Sequence, residues 1–112
     1  METNSLISIA GFEDKPGAEG KFIKWYDEVH IPMFLKSKNL KKVTRCQRLK
    51  NDDKYPEFMT IFEFDNEQAY EEHRRNPVIG DAAKDAIDRG WAKQGQEPRW
   101  KVQYKVVKTW SK

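Results

Sequence analysis

Two stretches of this chain are apolar enough to lie in the middle of a β-sheet. LISIAGF (6–12) and FMTIFEF (58–64) are short, rich in β-branched and aromatic residues, and hold one charge between them, Glu63. Two further runs have strand character but carry the lysines. KKVTRCQRLK (41–50) alternates Val43, Arg45, Gln47 and Leu49 against Thr44, Cys46 and Arg48. RWKVQYKVVKTW (99–110) sets Trp100, Val102, Tyr104 and Val106 along one face. Lysines on an exposed strand deter pairing with another chain, so these two belong at the sheet edges and the two apolar runs between them.

The connecting segments read as turns and helices. DKPG (14–17) is turn chemistry, and from Ala18 to about Ile31 the residues Phe22, Trp25, Tyr26 and Val29 recur at helical spacing. Pro32 lacks an N–H and crowds the carbonyl four residues back, so the helix should kink or stop within a residue or two of His30. NDDKYP (51–56) is a turn. Asp65 or Asn66 can cap a second helix, with Gln68 placed for a capping box, Ala69, Tyr70 and His73 on one side, and Pro77 at its end. Asp81 to Arg89 forms a short extra helix with Ala82, Ala83, Ala86 and Ile87 as its apolar side and Gly90 as its stop. WAKQGQEP (91–98) is a loop.

This order predicts an α+β fold of the ferredoxin-like βαββαβ type, with an extra short helix before the last strand and a four-stranded antiparallel sheet. Residues 1–112 form one domain of this kind. Helices can cover one face of such a sheet, yet apolar residues occupy both phases of the strands. The uncovered face is therefore expected to meet a second copy, giving a sheet-to-sheet homodimer that closes an α/β barrel.

Composition narrows the function classes. Charged residues make up 35% of the chain and hydrophobic ones 38%, which approaches disorder; a net charge of only +3 and 12% aromatic residues argue for folding. No run approaches the ~20 apolar residues of a membrane span, and METNSLISIAGF lacks the charged-then-apolar order of a signal peptide. The one cysteine, Cys46, cannot form an internal disulfide and excludes a CxxC zinc site. A soluble, cytoplasmic protein with no metal, no cofactor and no membrane partner is expected. The basic stretches Lys36–Lys50 and Arg99–Lys112 read as edge-strand lysines, with attraction of an anion as the functional alternative. Nucleic acid is not the expected partner, because EFMTIFEF (57–64) holds no glycine where an RNA-recognition strand carries its signature.

WYDEVHIP (25–32) is the segment with chemical promise. Helical spacing puts Ile23, Tyr26, Asp27, His30 and Phe34 on one flank, with Asp27 and Tyr26 in reach of His30. A carboxylate neighbour and a helix C-terminus both favour imidazolium, poising His30 to transfer a proton near neutral pH. The competing reading is a histidine that caps its own helix and does no chemistry. WYDEVHIP followed by a strand resembles the EthD-like families of the dimeric α/β-barrel superfamily, whose first helix ends in a tryptophan, a short gap and His-x-Pro. FDNEQAYEEHRRNPVIGDAAKDAIDRGW (64–91) is similar to their second helical region.

The resemblance implies a homodimer with a cleft between sheet and helices in each protomer. It also implies cofactor-free chemistry on small cyclic or aromatic compounds, such as lactone isomerisation and polyketide cyclisation, with histidine moving protons. Trp25 and His30 match the motif, framed by Glu28 and Pro32. The chain departs in reading SKNL (37–40) for Leu-Pro-Gly, and Val43 where some relatives have tyrosine. The expected function is that of an isomerase, lyase or cyclase on a cyclic, aromatic or polyketide-like carbonyl compound, with His30 as general acid or base. Trp25, Tyr26, Arg45, Phe62 and Trp91 are the expected substrate-binding residues, Arg45 suiting an anionic substrate. His73 is a further substrate-side position, for which a structural role is the stronger reading. The alternatives are haem binding or cofactor-free monooxygenation on the same barrel, or a non-catalytic ligand-binding dimer.

Overall fold

The computed structural model describes residues 4–14, 17–92 and 100–112. The elements run β1 (Leu6–Phe12), α1 (Lys21–Trp25), a π-helical turn (Tyr26–His30), α2 (Ile31–Phe34), β2 (Leu40–Gln47), β3 (Phe58–Phe64), α3 (Glu67–Arg74), α4 (Pro77–Asp88) and β4 (Trp100–Lys105). The sheet is antiparallel in the order β2-β3-β1-β4, so the two apolar strands are central and the lysine-bearing ones lie at the edges. This is the expected ferredoxin-like arrangement. No described helix is long and apolar enough to cross a membrane.

Register divides the sheet into two unlike faces. Leu6, Ser8, Ala10 and Phe12 pair with Phe64, Phe62, Thr60 and Phe58, and this phase is the one buried beneath the helices. Phe64 is 1% exposed and meets the Tyr70 ring at 5.2 Å; burying an aromatic of this size stabilises by about 2–3 kcal/mol. The other phase presents Ile7, Ile9, Met59, Ile61, Val102 and Tyr104, with Tyr104 54% exposed. On this open face Trp100 lies opposite Gly11, where an added Cβ would come within 2.6 Å of the indole. Glycine is required there by close approach.

Several element ends differ from the sequence expectations, each for a local reason. β2 stops at Gln47, and Leu49 is left 98% exposed. Arg48 turns the chain instead, its guanidinium donating to the carbonyls of Lys50, Asp52 and Tyr55. Asn66 caps α3 by accepting from the Ala69 N–H, so no capping box forms; Gln68 donates to Glu72. α3 has already ended at Arg74 when Pro77 is reached. Pro77 opens α4 as its first residue, where a missing N–H costs nothing, and Asn76 accepts from the Val78 N–H. The extra helix is thus twelve residues long and begins four residues before Asp81. β4 spans Trp100–Lys105 and ends before Val106. Lys15–Pro16 of the first turn and residues 93–98 of the WAKQGQEP loop lie outside the described residues.

Candidate active site

The site begins with the helix that Pro32 interrupts. The helix neither stops at His30 nor keeps α register through Leu35. Between Tyr26 and His30 it widens to a π turn, in which the Ile31 N–H donates to the Tyr26 carbonyl five residues back. α2 then resumes, and the Leu35 N–H donates to the Ile31 carbonyl. The wider turn gives the proline ring space within a continuing helix, so of the expected kink or stop the helix does not stop, and the irregularity takes the form of a register change.

That register change decides what surrounds His30. Residues five apart are brought into line, and the Trp25 and His30 rings lie 4.7 Å apart at 32°. Tyr26 approaches the imidazole at 5.3 Å, and Phe34 meets it edge-on at 4.7 Å. Asp27, three residues before His30, is swung off the shared flank. It is taken up by Arg45, whose Nε and Nη2 donate to the two carboxylate oxygens at 2.6 and 2.7 Å. The expected Asp27–His30 partnership is absent, and Arg45 is committed to a bidentate pair.

His30 opens onto a cavity of about 310 Å³ between the covered face of the sheet and the helices. Phe12, Phe22, Trp25, Tyr26, Phe34, Phe62 and Trp91 supply aromatic wall. The space exists because Ala10, Ala83, Ala86 and Ala92 stand where larger side chains would fill it. Ile79 and Lys101 complete the lining among the described residues.

The electrostatics reverse the sequence expectation for His30. Burial pushes the imidazole down to about 4, outweighing the opposing influence of Asp85, so the ring is neutral at neutral pH. A helix terminus does not assist, since the helix runs on. Nδ1 of His30 is buried and has no hydrogen-bond partner among the described residues. Asp85 is occupied: it accepts from the Trp25 indole N–H at 2.9 Å and from Arg89 Nε at 2.9 Å. Its carboxyl is held below its ordinary value, chiefly by the Arg89 hydrogen bond. Tyr26 shares a 2.7 Å hydrogen bond with Thr60, and burial pushes its phenol up to about 12. It packs against His30 without joining it in a proton relay.

Among the residues picked out from sequence, the cavity brings together His30, Trp25, Tyr26, Phe62 and Trp91. Arg45 is held away from it by Asp27, and His73 lies elsewhere, on the buried side of α3. The His73 ring is 7% exposed; its Nδ1 is 2.8 Å from Ser37 Oγ, and Phe64 lies 5.0 Å away. Burial first, and Lys101 second, lower its proton affinity. Cys46 is a partly buried free thiol on edge strand β2. Sequence reasoning missed Asp85, Lys101 and the alanines as components of the site. The alanine spacing of α4 was visible, but it reads equally as core packing.

A four-stranded antiparallel sheet with helices on one face and a cavity between the layers defines a ferredoxin-like α+β protein. The sequence matches the family described as a domain of unknown function (DUF4286) over residues 13–79, more than half of the chain, and the protein belongs to that family. None of the curated proteins matches it significantly. Among solved structures it is similar to an ethyl tert-butyl ether D (EthD) family protein from Bacillus halodurans, with TM-score 0.60, 15% identity, and 94% of this chain and 97% of that one covered. A dimeric ferredoxin-like protein of unknown function from Thermobifida fusca aligns with TM-score 0.56 and 14% identity over 96% and 93% of the two chains. SnoaB, a cofactor-independent oxygenase from Streptomyces nogalater, aligns with TM-score 0.53 and 10% identity over 96% and 93%. At these identities the likeness establishes the shared fold, in which the EthD-like resemblance agrees.

Proposed function

We propose that this protein is a cofactor-independent enzyme that moves a proton on a small cyclic or aromatic carbonyl compound, with His30 as the acid–base group. One observation carries the reading: a desolvated, neutral imidazole with an unpartnered Nδ1 faces an aromatic-walled cavity. A buried polar atom without a partner is destabilising and calls for an explanation, and a base kept ready for a substrate proton supplies one. The neutral ring takes a proton from an activated C–H or from an enol or phenol O–H. The electron pair released moves to the substrate oxygen. Return of the proton at a second position completes an isomerisation or ring closure with every atom conserved. Trp25, Tyr26 and Phe34 fix the ring plane, and Phe62 and Trp91 offer surfaces for a flat substrate.

The same neutral base also suits a second reading, cofactor-free oxygenation, in which proton removal from a phenol or enol makes the electron-rich anion that meets oxygen. The description of SnoaB as a cofactor-independent oxygenase supports carrying that reading alongside the first. Oxygen consumption by the protein with a candidate phenol separates the two, since isomerisation uses none. A Soret band on haem titration, lost in His30→Gln, would replace both with haem chemistry.

The working unit in this proposal is a cytoplasmic homodimer of one ferredoxin-like domain per chain, joined through the open sheet face. Ile7, Ile9, Met59 and Ile61 on that face, and the dimeric description of the Thermobifida fusca protein, support it. Sedimentation should give about twice the 13.3 kDa chain mass, and Ile61→Glu should return it to one chain. A monomeric wild-type protein at micromolar concentration would remove the barrel.

A further inference from the structure

We infer that Lys101 is the anion anchor of the cavity, so that the substrate is a small ring compound bearing a carboxylate or an equivalent anionic oxygen. The inference rests on the reading of the cavity as a substrate site and adds the chemical class it selects. Arg45, the residue that sequence reasoning offered for this role, has its Nε and Nη2 committed to Asp27 and does not line the cavity. Lys101 is the one cationic side chain among the described residues that line the cavity, His30 being neutral.

The backbone explains how an edge-strand lysine comes to face this space. Lys101 pairs with Ala10 across β1 and β4 on the helix-covered face of the sheet. The small Ala10 side chain leaves open the room beside it, and both residues line the cavity. No carboxylate lines the cavity among the described residues to neutralise the ammonium. Asp85, whose charge acts on His30, does not line the cavity and is already engaged by Trp25 and Arg89. A cationic edge on an otherwise apolar, aromatic pocket fits a flat ring with one anionic group; the wall takes the ring and the ammonium takes the charge.

The arrangement has a consequence for the base. An anion seated on Lys101 brings negative charge into the cavity and so raises the proton affinity of His30, which burial holds low. The substrate thereby strengthens the base that is to deprotonate it.

Naphthoate and naphthylmethanol are probes of equal ring shape that differ in charge, and calorimetric titration of the intact protein with each tests the assignment. Wild type should bind naphthoate about ten- to a hundredfold more tightly than naphthylmethanol, the range expected of a charge-assisted hydrogen bond. Lys101→Gln should abolish that preference while keeping naphthylmethanol affinity, and Lys101→Arg should restore it. His30→Gln should leave the preference in place, so loss of catalysis and loss of anion selection fall on different residues. NMR titration of the His30 ring should shift to higher pH with naphthoate bound in wild type but not in Lys101→Gln. Equal affinities for the two probes, or a naphthoate preference that survives Lys101→Gln, would overturn the assignment.

Discussion

The two histidines occupy comparable surroundings and end in opposite states. Both rings are packed among aromatics: His30 against Trp25, Tyr26 and Phe34, and His73 against Phe64 and more distantly Phe34. Both lose proton affinity through burial. The difference is one hydrogen bond. His73 Nδ1 meets Ser37 Oγ, itself 1% exposed, which makes the pair a closed structural unit. His30 Nδ1 has no partner among the described residues, and its ring borders a cavity. Burial alone therefore does not tell the two histidines apart; the unpaired Nδ1 and the cavity that the ring borders do, and the role proposed for His30 rests on them.

The largest effect expected from this contrast is on turnover. His30→Gln should lower kcat by roughly two to four orders of magnitude, the usual contribution of a positioned acid or base. His73→Gln should leave kcat within a fewfold. Equal losses in the two variants, measured once a substrate is in hand, would erase the distinction between them.

The pH dependence of stability follows next. His30 has a folded value of about 4 against an ordinary 6.5, so between those limits the unfolded chain binds more protons than the folded one. Stability should thus be fully present above pH 6.5 and fall as the pH drops towards 4, by about 2 kcal/mol from His30 after allowance for its partial exposure. His73 acts in the same direction. Urea midpoints across this range should show a shallower fall in His30→Gln than in wild type. The pH limb of kcat/KM that reports His30 should likewise lie near 4 in the free enzyme. A limb at 6.5 would show that the imidazole is solvated.

No larger, and opposite in sign, are the effects of apolar replacement at neutral pH. His73→Leu leaves Ser37 Oγ buried without its partner and should cost about 2 kcal/mol. His30→Leu removes a buried polar atom that had no partner, and the gain offsets the lost ring contact with Trp25. Its stability should be unchanged or higher by up to about 1 kcal/mol. Thermal unfolding of both variants checks the contrast, and a destabilised His30→Leu would mean that Nδ1 is bonded after all.

The sheet was legible from sequence because its physics is local. The apolar content of LISIAGF and FMTIFEF, against lysines in the other two runs, placed all four strands in order. The cavity was half legible, since Trp25, Tyr26, His30, Phe62 and Trp91 could be grouped by pattern and resemblance. What pattern could not supply was the register of one turn. Periodicity of three and four residues assigns Asp27 to His30 and leaves Arg45 free; a π turn assigns Trp25 to His30 and Asp27 to Arg45. The sign of the His30 shift followed from that error, since without Asp27 burial dominates. Lys101 was invisible for a different reason: it reads as one more edge-strand lysine until pairing with Ala10 sets its side of the sheet.

The smallest stability change, and the most informative about the cause, should come from Pro32→Ala. Alanine restores an N–H that can donate to the carbonyl four residues back, a bond worth about 1 kcal/mol. It also frees the unfolded chain, which costs the folded state about 0.4–1 kcal/mol. The two nearly cancel, and the unfolding midpoint should scarcely move. The helix, however, no longer has a reason to widen between Tyr26 and His30. In α register Trp25 leaves the imidazole, Asp27 returns to its flank, and the competition between Arg45 and His30 for that carboxylate reopens. NMR titration of His30 in this variant should therefore move up from about 4 towards the ordinary value of 6.5. An unmoved titration with an intact Trp25–His30 contact would show that the aromatic packing, and not the proline, holds the π turn in place.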